Sequence, residues 1–370
     1  MEFVRRTVRW IALAEKPISV RQMAHAISVD IDECSFDDTL DITMVLGLCS
    51  SLVREVNRLL YFSHFSVREF LREIKPKDDK LTRFRIQDSE SQILGKVCLT
   101  YLLLKDFDRQ GSVKPSDLRP DDFEEDYVSS ANGPYPSYPL YGYSALFWMD
   151  RTEANAFDTV ISNLRSQLFD VQETDQFLFW AHAWMSNSRI LAKIASVLTD
   201  HIHDVTPLHL ASSLRIADLV DQLIREGANV NQNSFLLASP LECAICGLEC
   251  SVDAGNPWKP SDGARYQTIR RLLRENPISS DIFYPIAYGL CLNKNKSVQI
   301  LLEHGFPLKS QIISRCFSIE GIHKLLDLGV DLLQLHVQRS IQRALPLYGV
   351  RDSARTGEKH RCSEILVHSY

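Results

Sequence analysis

A mainly α protein that closes in an α-solenoid is predicted from three observations. Apolar residues recur at helical spacing along most of the 370-residue chain. The period switches once, near Leu52, from helical to strand-like. A proline-led pattern of six residues returns after 33 positions in the second half. With 45% hydrophobic and 24% charged residues, the chain has the apolar content of a folded protein, and its length calls for two or three structural units.

The first unit is residues 1–75. Val4, Val8 and Ile11 fall at i, i+4 and i+7, with Trp10 and Leu13 beside them, so the chain opens in a helix that Pro17 stops. Ser19 with Gln22 three residues on is a capping box, in which each side chain satisfies an orphan backbone donor. The helix it starts turns Met23 and Ile27 inward. A third helix runs from about Asp41 and buries Ile42, Val45, Leu46 and Cys49. Leu52–Val56, a break at Asn57-Arg58, and Leu59–Phe62 read as a short hairpin. Ser66 with Glu69 makes a second capping box, opening a helix that buries Phe70 and Ile74. Three helices, a hairpin and another helix is the winged-helix order. Many such units bind DNA, yet residues 1–75 carry ten Lys/Arg against eleven Asp/Glu and show no basic stripe on the third helix. Phosphate contacts supply most DNA affinity, so nucleic acid is disfavoured as a partner.

Residues 76–200 form a helical bridge. A charged linker, Lys75 to Lys80, leads to a capping box of Ser89 with Gln92 and a helix whose face is Leu94, Val97, Cys98, Tyr101 and Leu102. An acidic loop is expected over 106–137. From Asp106 to Tyr127 it holds eight acids and three bases, a net of −5 within a chain of net −6. A solvated surface is the ordinary reading of such a run, and a docking site for a basic partner is its rival. Three further helices follow: one on Phe157, Ile161, Leu164 and Leu168, one on Phe177, Ala181 and Trp184, and one on Leu191, Ile194 and Leu198. The five aromatics between Tyr138 and Trp148 suit packing better than a cofactor pocket.

The third region, 201–370, is the most informative. Thr206-Pro207-Leu208-His209-Leu210-Ala211 matches the ankyrin T-P-L-H-x-A signature, and Ser239-Pro240-Leu241-Glu242-Cys243-Ala244 returns at the ankyrin period. Between them, Gly227-Ala228-Asn229-Val230-Asn231 has the form of the turn that ends the second helix of a repeat. Internal spacing gives an independent check: Pro207 lies 16 residues before Leu223 and 20 before Gly227, and Pro285 lies 16 before Leu301 and 20 before Gly305. Each element has a mechanical job. Proline fits the first helical position, leucines face the neighbouring repeat, and glycine takes the left-handed position after the second helix. His209 is read as a buried hydrogen-bonding residue that ties the turn.

The array is degenerate. Ser239 to Leu272 spans 33 residues against 17 from Thr206 to Leu223, an insertion of 16 placed around Glu249–Gly263 and carrying Trp258 between Pro257 and Pro260. A fourth repeat ending at Gly329 follows Gly305 by only 24 residues. No polar capping repeat closes the sequence at Tyr370, so a truncated or frayed end is expected.

Nothing in the chain selects an enzyme. Gly95-Lys96 is followed by Val97 within a helical pattern, so it is no phosphate-binding loop. Cys243, Cys246 and Cys250 look metal-like, but they sit at i, i+3 and i+7 on a repeat helix and lack a fourth ligand. His201-Ile202-His203 would point two imidazoles one way only on a strand. No local motif singles out a Cys–His nucleophilic pair among nine cysteines and eleven histidines. Catalytic residues, cofactor, metal and small-molecule substrate are therefore each expected to be none. The odd number of scattered cysteines suits free thiols in a reducing compartment. The charges at Glu2, Arg5, Arg6 and Arg9 break up what would be a signal peptide, and no run of about 18 apolar residues exists. A cytoplasmic protein, with access to the nucleus left open and no membrane insertion, is expected.

A family resemblance covers the first unit. Trp10-Ile11-Ala12, Lys16 to Ala24, Cys49-Ser50-Ser51-Leu52-Val53 and Phe62 to Leu71 resemble the winged helix that follows the NACHT nucleoside-triphosphatase domain in fungal NACHT–ankyrin proteins, which are NLR-like signalling proteins. Pro139 to Ala145, followed by Trp148, resembles the bridge between winged helix and ankyrins in the same proteins. The resemblance implies a setting in NLR-like signalling or non-self recognition, with the array as the sensing end. The NACHT domain is absent from this sequence, so a truncated form or a degenerate relative is expected.

The leading expectation is a non-catalytic scaffold that binds a protein through the array. Tip and insertion residues Asp204, Arg215, Asn231, Gln232, Phe235 and Trp258 are the candidate contacts, on a framework of Thr206, Pro207, Leu208, His209, Ala211, Gly227, Ser239, Pro240, Pro285, Gly305 and Gly329. The rivals are a fragment of a NACHT switch protein whose catalytic domain lies upstream, and a winged-helix DNA-binding regulator.

Overall fold

The computed structural model describes residues 1–37, 40–75, 81–107, 137–152, 158–186, 200–247, 261–275 and 295–305. They fall in two compact units that meet in sequence at Ile202 and His203.

The first unit opens with α1 (Glu2–Leu13), which buries Val4, Val8, Trp10, Ala12 and Leu13. The capping box of Ser19 with Gln22 starts α2 (Val20–Ser28), with Gln22 N–H on Ser19 Oγ at 3.2 Å and Ser19 N–H on Gln22 Oε1 at 2.8 Å. Met23 and Ile27 are fully buried beneath it. A two-residue ladder, β1 (Val29–Asp30) with β2 (Ser35–Phe36), is too short to leave a periodic trace in the sequence. The hairpin is β3 (Val53–Val56) with β4 (Leu59–Phe62), antiparallel, Val56 opposite Leu59. Asn57 (φ 51°) and Arg58 (φ 64°) are both left-handed, which makes the two-residue turn that matches strand twist. Ile18 accepts from Leu60 N–H at 2.9 Å on the other side of β4.

Three local expectations need correction. In α3 (Ile42–Leu48), capped by Asp41, only Val45 is buried, with Cys49 just beyond; Ile42 and Leu46 are half-covered, and Met44 and Leu48 stand 69% and 68% exposed. In α4 (Phe65–Glu73) the cap is His64, whose Nδ1 accepts from Ser66 N–H at 3.2 Å, not Ser66 with Glu69. That helix rests on Leu71 and Ile74, leaving Phe70 54% exposed. Ahead of α5 (Ser91–Leu102) the box is Gln87 with Glu90, not Ser89 with Gln92. Glu90 wins the cap because it is already fixed there by charge: it accepts from buried Arg9 at 2.8 Å and lies 3.5 Å from Arg5. Removing it strands a buried guanidinium. Glu90→Ala is expected to lower stability by about 2 kcal/mol in urea denaturation of the intact chain.

α5 is buried from Leu94 to Leu102 except at Lys96, and packs on α1, on α6 (Tyr141–Thr152) and on α7 (Thr159–Leu168). Lys96 reaches Asp158, the cap of α7, at 2.7 Å. α6 and α8 (Asp175–Ser186) pack on each other and bury nearly every described side chain, which is why neither reads as one-sided in sequence. Trp148, Phe169, Phe177, Trp180 and Trp184 meet edge-on, tilted or stacked with centroids between 4.9 and 6.2 Å, so these rings are core. Phe107 is 1% exposed against Tyr138 and Tyr141, so this residue of the expected acidic loop belongs to the core. The rest of that segment, the linker 76–80, Phe157, and the helix expected on Leu191, Ile194 and Leu198 lie outside the described residues.

The second unit holds helix pairs. α9 (Pro207–Leu214) and α10 (Ala217–Arg225) form the first; α11 (Pro240–Cys246) and α12 (Asp262–Arg274) form the second; α13 (Asn295–Glu303) follows. α9 packs on α10 and on α11, α10 on α12, α11 on α12, and α12 on α13. Corresponding helices of the two pairs therefore lie against each other. Pro207 and Pro240 each sit in the first turn after a capping box. Gly227 (φ +95°) after α10 and Gly305 (φ +79°) after α13 both take the left-handed conformation. Arg271 on α12 ties back to α10, meeting Asp221 Oδ2 at 2.5 Å and the Ala217 carbonyl. Ser261 to Gly263 are the cap and first turn of α12, so the insertion ends before them. Pro285, Gly329, Trp258 and every later repeat lie outside the described residues.

Candidate functional site

The best-built surface feature of the second unit is a finger, Ala228–Ala238, between α10 and α11. Its base is held by His209. As the third residue of α9 this imidazole is fully buried, and Pro207 fixes the first turn that aims it. Nδ1 accepts from Thr206 N–H at 3.1 Å and pairs with Thr206 Oγ1 at 2.8 Å. A ring nitrogen that accepts a backbone donor carries no proton, so the proton is on Nε2. Nε2–H then donates to the carbonyls of Gln232 at 3.0 Å and Ala238 at 2.9 Å, the two sides of the finger. Burial holds the ring neutral and pulls its pKa down to about 4, although both carbonyls oppose that shift.

The finger braces itself as well. Ser234 and Ala238 exchange backbone hydrogen bonds at 2.9 and 3.0 Å. Asn229 Oδ1 accepts from Asn231 N–H at 2.9 Å, an Asx turn. Ala238 closes the loop in the left-handed region (φ 59°), where a Cβ is strained. Relieving that strain gives a test of the geometry: Ala238→Gly is expected to raise stability by about 0.5–1 kcal/mol, read as a higher thermal midpoint.

The candidate contact residues separate into groups. Asn231 and Gln232 are exposed at the finger, with Phe235 at 43% exposure. Asp204 is exposed in the short 3-10 turn before the first pair. Arg215 does not stand at a tip. It is the left-handed cap of α9 (φ 60°), half-buried, with its guanidinium lying over Gly247, where an added Cβ would come within 2.5 Å of Nη2. Sequence reasoning missed Asn233, Ser234 and Ala238; the Asn-rich run after Gly227 was their signal.

Other chemistry-bearing side chains have structural roles here. Cys243 Sγ contacts the Leu237 carbonyl at 3.2 Å, and full burial pushes its pKa up to about 12, which suppresses the thiolate. Ser66 Oγ lies 2.7 Å from His64 Nδ1, but both belong to the exposed cap of α4. Tyr101 OH meets His25 Nδ1 at 2.8 Å within a packed ring cluster with Phe36. Among the described residues no group of His, Cys, Asp or Glu is arranged to hold a metal ion, and no helix is long and apolar enough to cross a membrane.

Residues 203–234 match the ankyrin repeat family. That span begins one residue before Asp204 and contains His209 and most of the finger. No curated protein matches the chain, and no solved structure does.

Proposed function

We propose that this protein works by non-catalytic recognition of another protein, through a degenerate ankyrin-type solenoid over residues 201–370. One observation carries the reading: two helix pairs packed helix to corresponding helix, with His209 pinning a projecting finger between them. Protein partners are favoured because the exposed residues at the finger are amides and an aromatic ring rather than a recessed set of titratable groups. The N-terminal region, 1–75, acts as a winged-helix-like module joined through the bridge, 76–200. Support for it is the element order and the Ile18–Leu60 pairing beside the hairpin. Its α3 exposes Met44 and Leu48 rather than basic side chains, which favours protein over DNA. The resemblance to NACHT–ankyrin proteins sets the reading in cytoplasmic NLR-like signalling. The test is affinity capture followed by mass spectrometry, comparing the intact chain with one lacking 201–370. Loss of the captured partners is expected; retention of every partner would refute the proposal.

A further inference from the structure

The geometry points to an extended, uncharged peptide segment as the partner of the Ala228–Ala238 finger, an inference that rests on the protein-binding reading above. Three observations carry it. The first is charge: none of the fifteen residues between Glu226 and Glu242 is ionisable as an acid or base at neutral pH, in a chain where 24% of residues are charged. A partner recognised through acidic or basic side chains would find no counter-charge on the finger.

The second is hydrogen-bonding capacity. Asn231 and Asn233 are exposed, and among the described residues neither side-chain amide has an intramolecular partner. A primary amide offers two N–H donors and a carbonyl acceptor, the complement of a backbone peptide group. Two such amides can therefore satisfy the main chain of an extended segment without reading its charge. Phe235, 43% exposed in the same loop, offers an apolar face for an alternate side chain of that segment.

The third is rigidity. The His209 pair of hydrogen bonds, the Ser234–Ala238 pair and the Asn229 turn fix the finger before anything binds. A preformed loop avoids most of the ordering cost that would otherwise reduce affinity.

The test uses the intact protein and a phage-displayed library of random short peptides. The inference predicts enrichment of uncharged peptides rich in strand-forming residues. Binding of a synthetic consensus peptide should change less than about twofold between about 0.05 and about 0.5 M NaCl. It should weaken about tenfold or more in the Asn231→Ala/Asn233→Ala double variant. Among the described residues those side chains have no partners, so the variant is expected to keep the parent's thermal midpoint. Enrichment of charged peptides, binding that the double variant leaves intact, or no enrichment at all would overturn the inference. None of these outcomes bears on whether residues 201–370 retain a folded partner in affinity capture, so the two readings fail separately.

Discussion

His209→Ala should cost about 3 kcal/mol of stability, the largest single-residue effect expected in the second unit. The substitution leaves the Thr206 N–H and the carbonyls of Gln232 and Ala238 without their partner at a part-buried site. Each stranded polar group is worth about 1–3 kcal/mol, and the cavity left by the ring adds to it. Local relaxation of the finger recovers part, which is why the sum is not reached. Against a total of about 5–15 kcal/mol for a domain, the loss shifts the urea midpoint plainly. A change below about 0.5 kcal/mol would mean that the finger is not anchored through this ring.

Acid should do by titration what alanine does by deletion. His209 has a folded pKa of about 4, well below the ordinary 6.5, because burial disfavours the imidazolium. Above 6.5 both folded and unfolded chains carry a neutral ring, and pH has no effect through this residue. Between 6.5 and 4 the unfolded chain binds a proton that the folded one refuses, so stability falls as pH falls. The full difference, at 1.36 kcal/mol per pH unit, amounts to about 3 kcal/mol and is complete below pH about 4. His182, whose pKa burial also lowers, adds a loss of the same sign in the first unit. Denaturation of the second unit at pH 7 and pH 5 checks the slope. In His209→Ala the contribution of this residue must vanish; an unchanged slope would assign it elsewhere.

Much of this architecture was legible because the sequence marks helix starts chemically. Ser19 with Gln22 is the capping box the sequence reads, and the proline-led signatures at Thr206 and Ser239 each open a helix in the structure, where both also prove to be capping boxes. The hairpin was equally plain, since Asn57-Arg58 interrupts two apolar strands and both residues take the left-handed turn. Local signals misled where tertiary contacts chose between near-equal caps. Glu90 displaced Ser89 and Gln92 because Arg5 and Arg9, more than eighty positions away, hold its carboxylate. His64 caps α4 in place of Ser66, which no sequence rule for helix starts signals, and Phe70 lies on the exposed side of that helix. In the candidate site, spacing found His209 and the turn at Gly227 but not the bonds from Nε2 across the finger, because those depend on where Ala238 returns. Arg215 was read as a tip residue, since nothing local shows that α9 ends there in the left-handed region.

The account depends on the two helix pairs forming one stack through α9 and α11, with His209 securing the finger between them. Amide hydrogen exchange on the intact protein and on His209→Ala tests this directly. The predicted result is that amides in Leu210–Leu214 and in Cys243–Cys246 are protected to similar degrees in the parent and lose protection together in the variant. Loss confined to α9, with α11 still protected as before, would show two independent hairpins and contradict it.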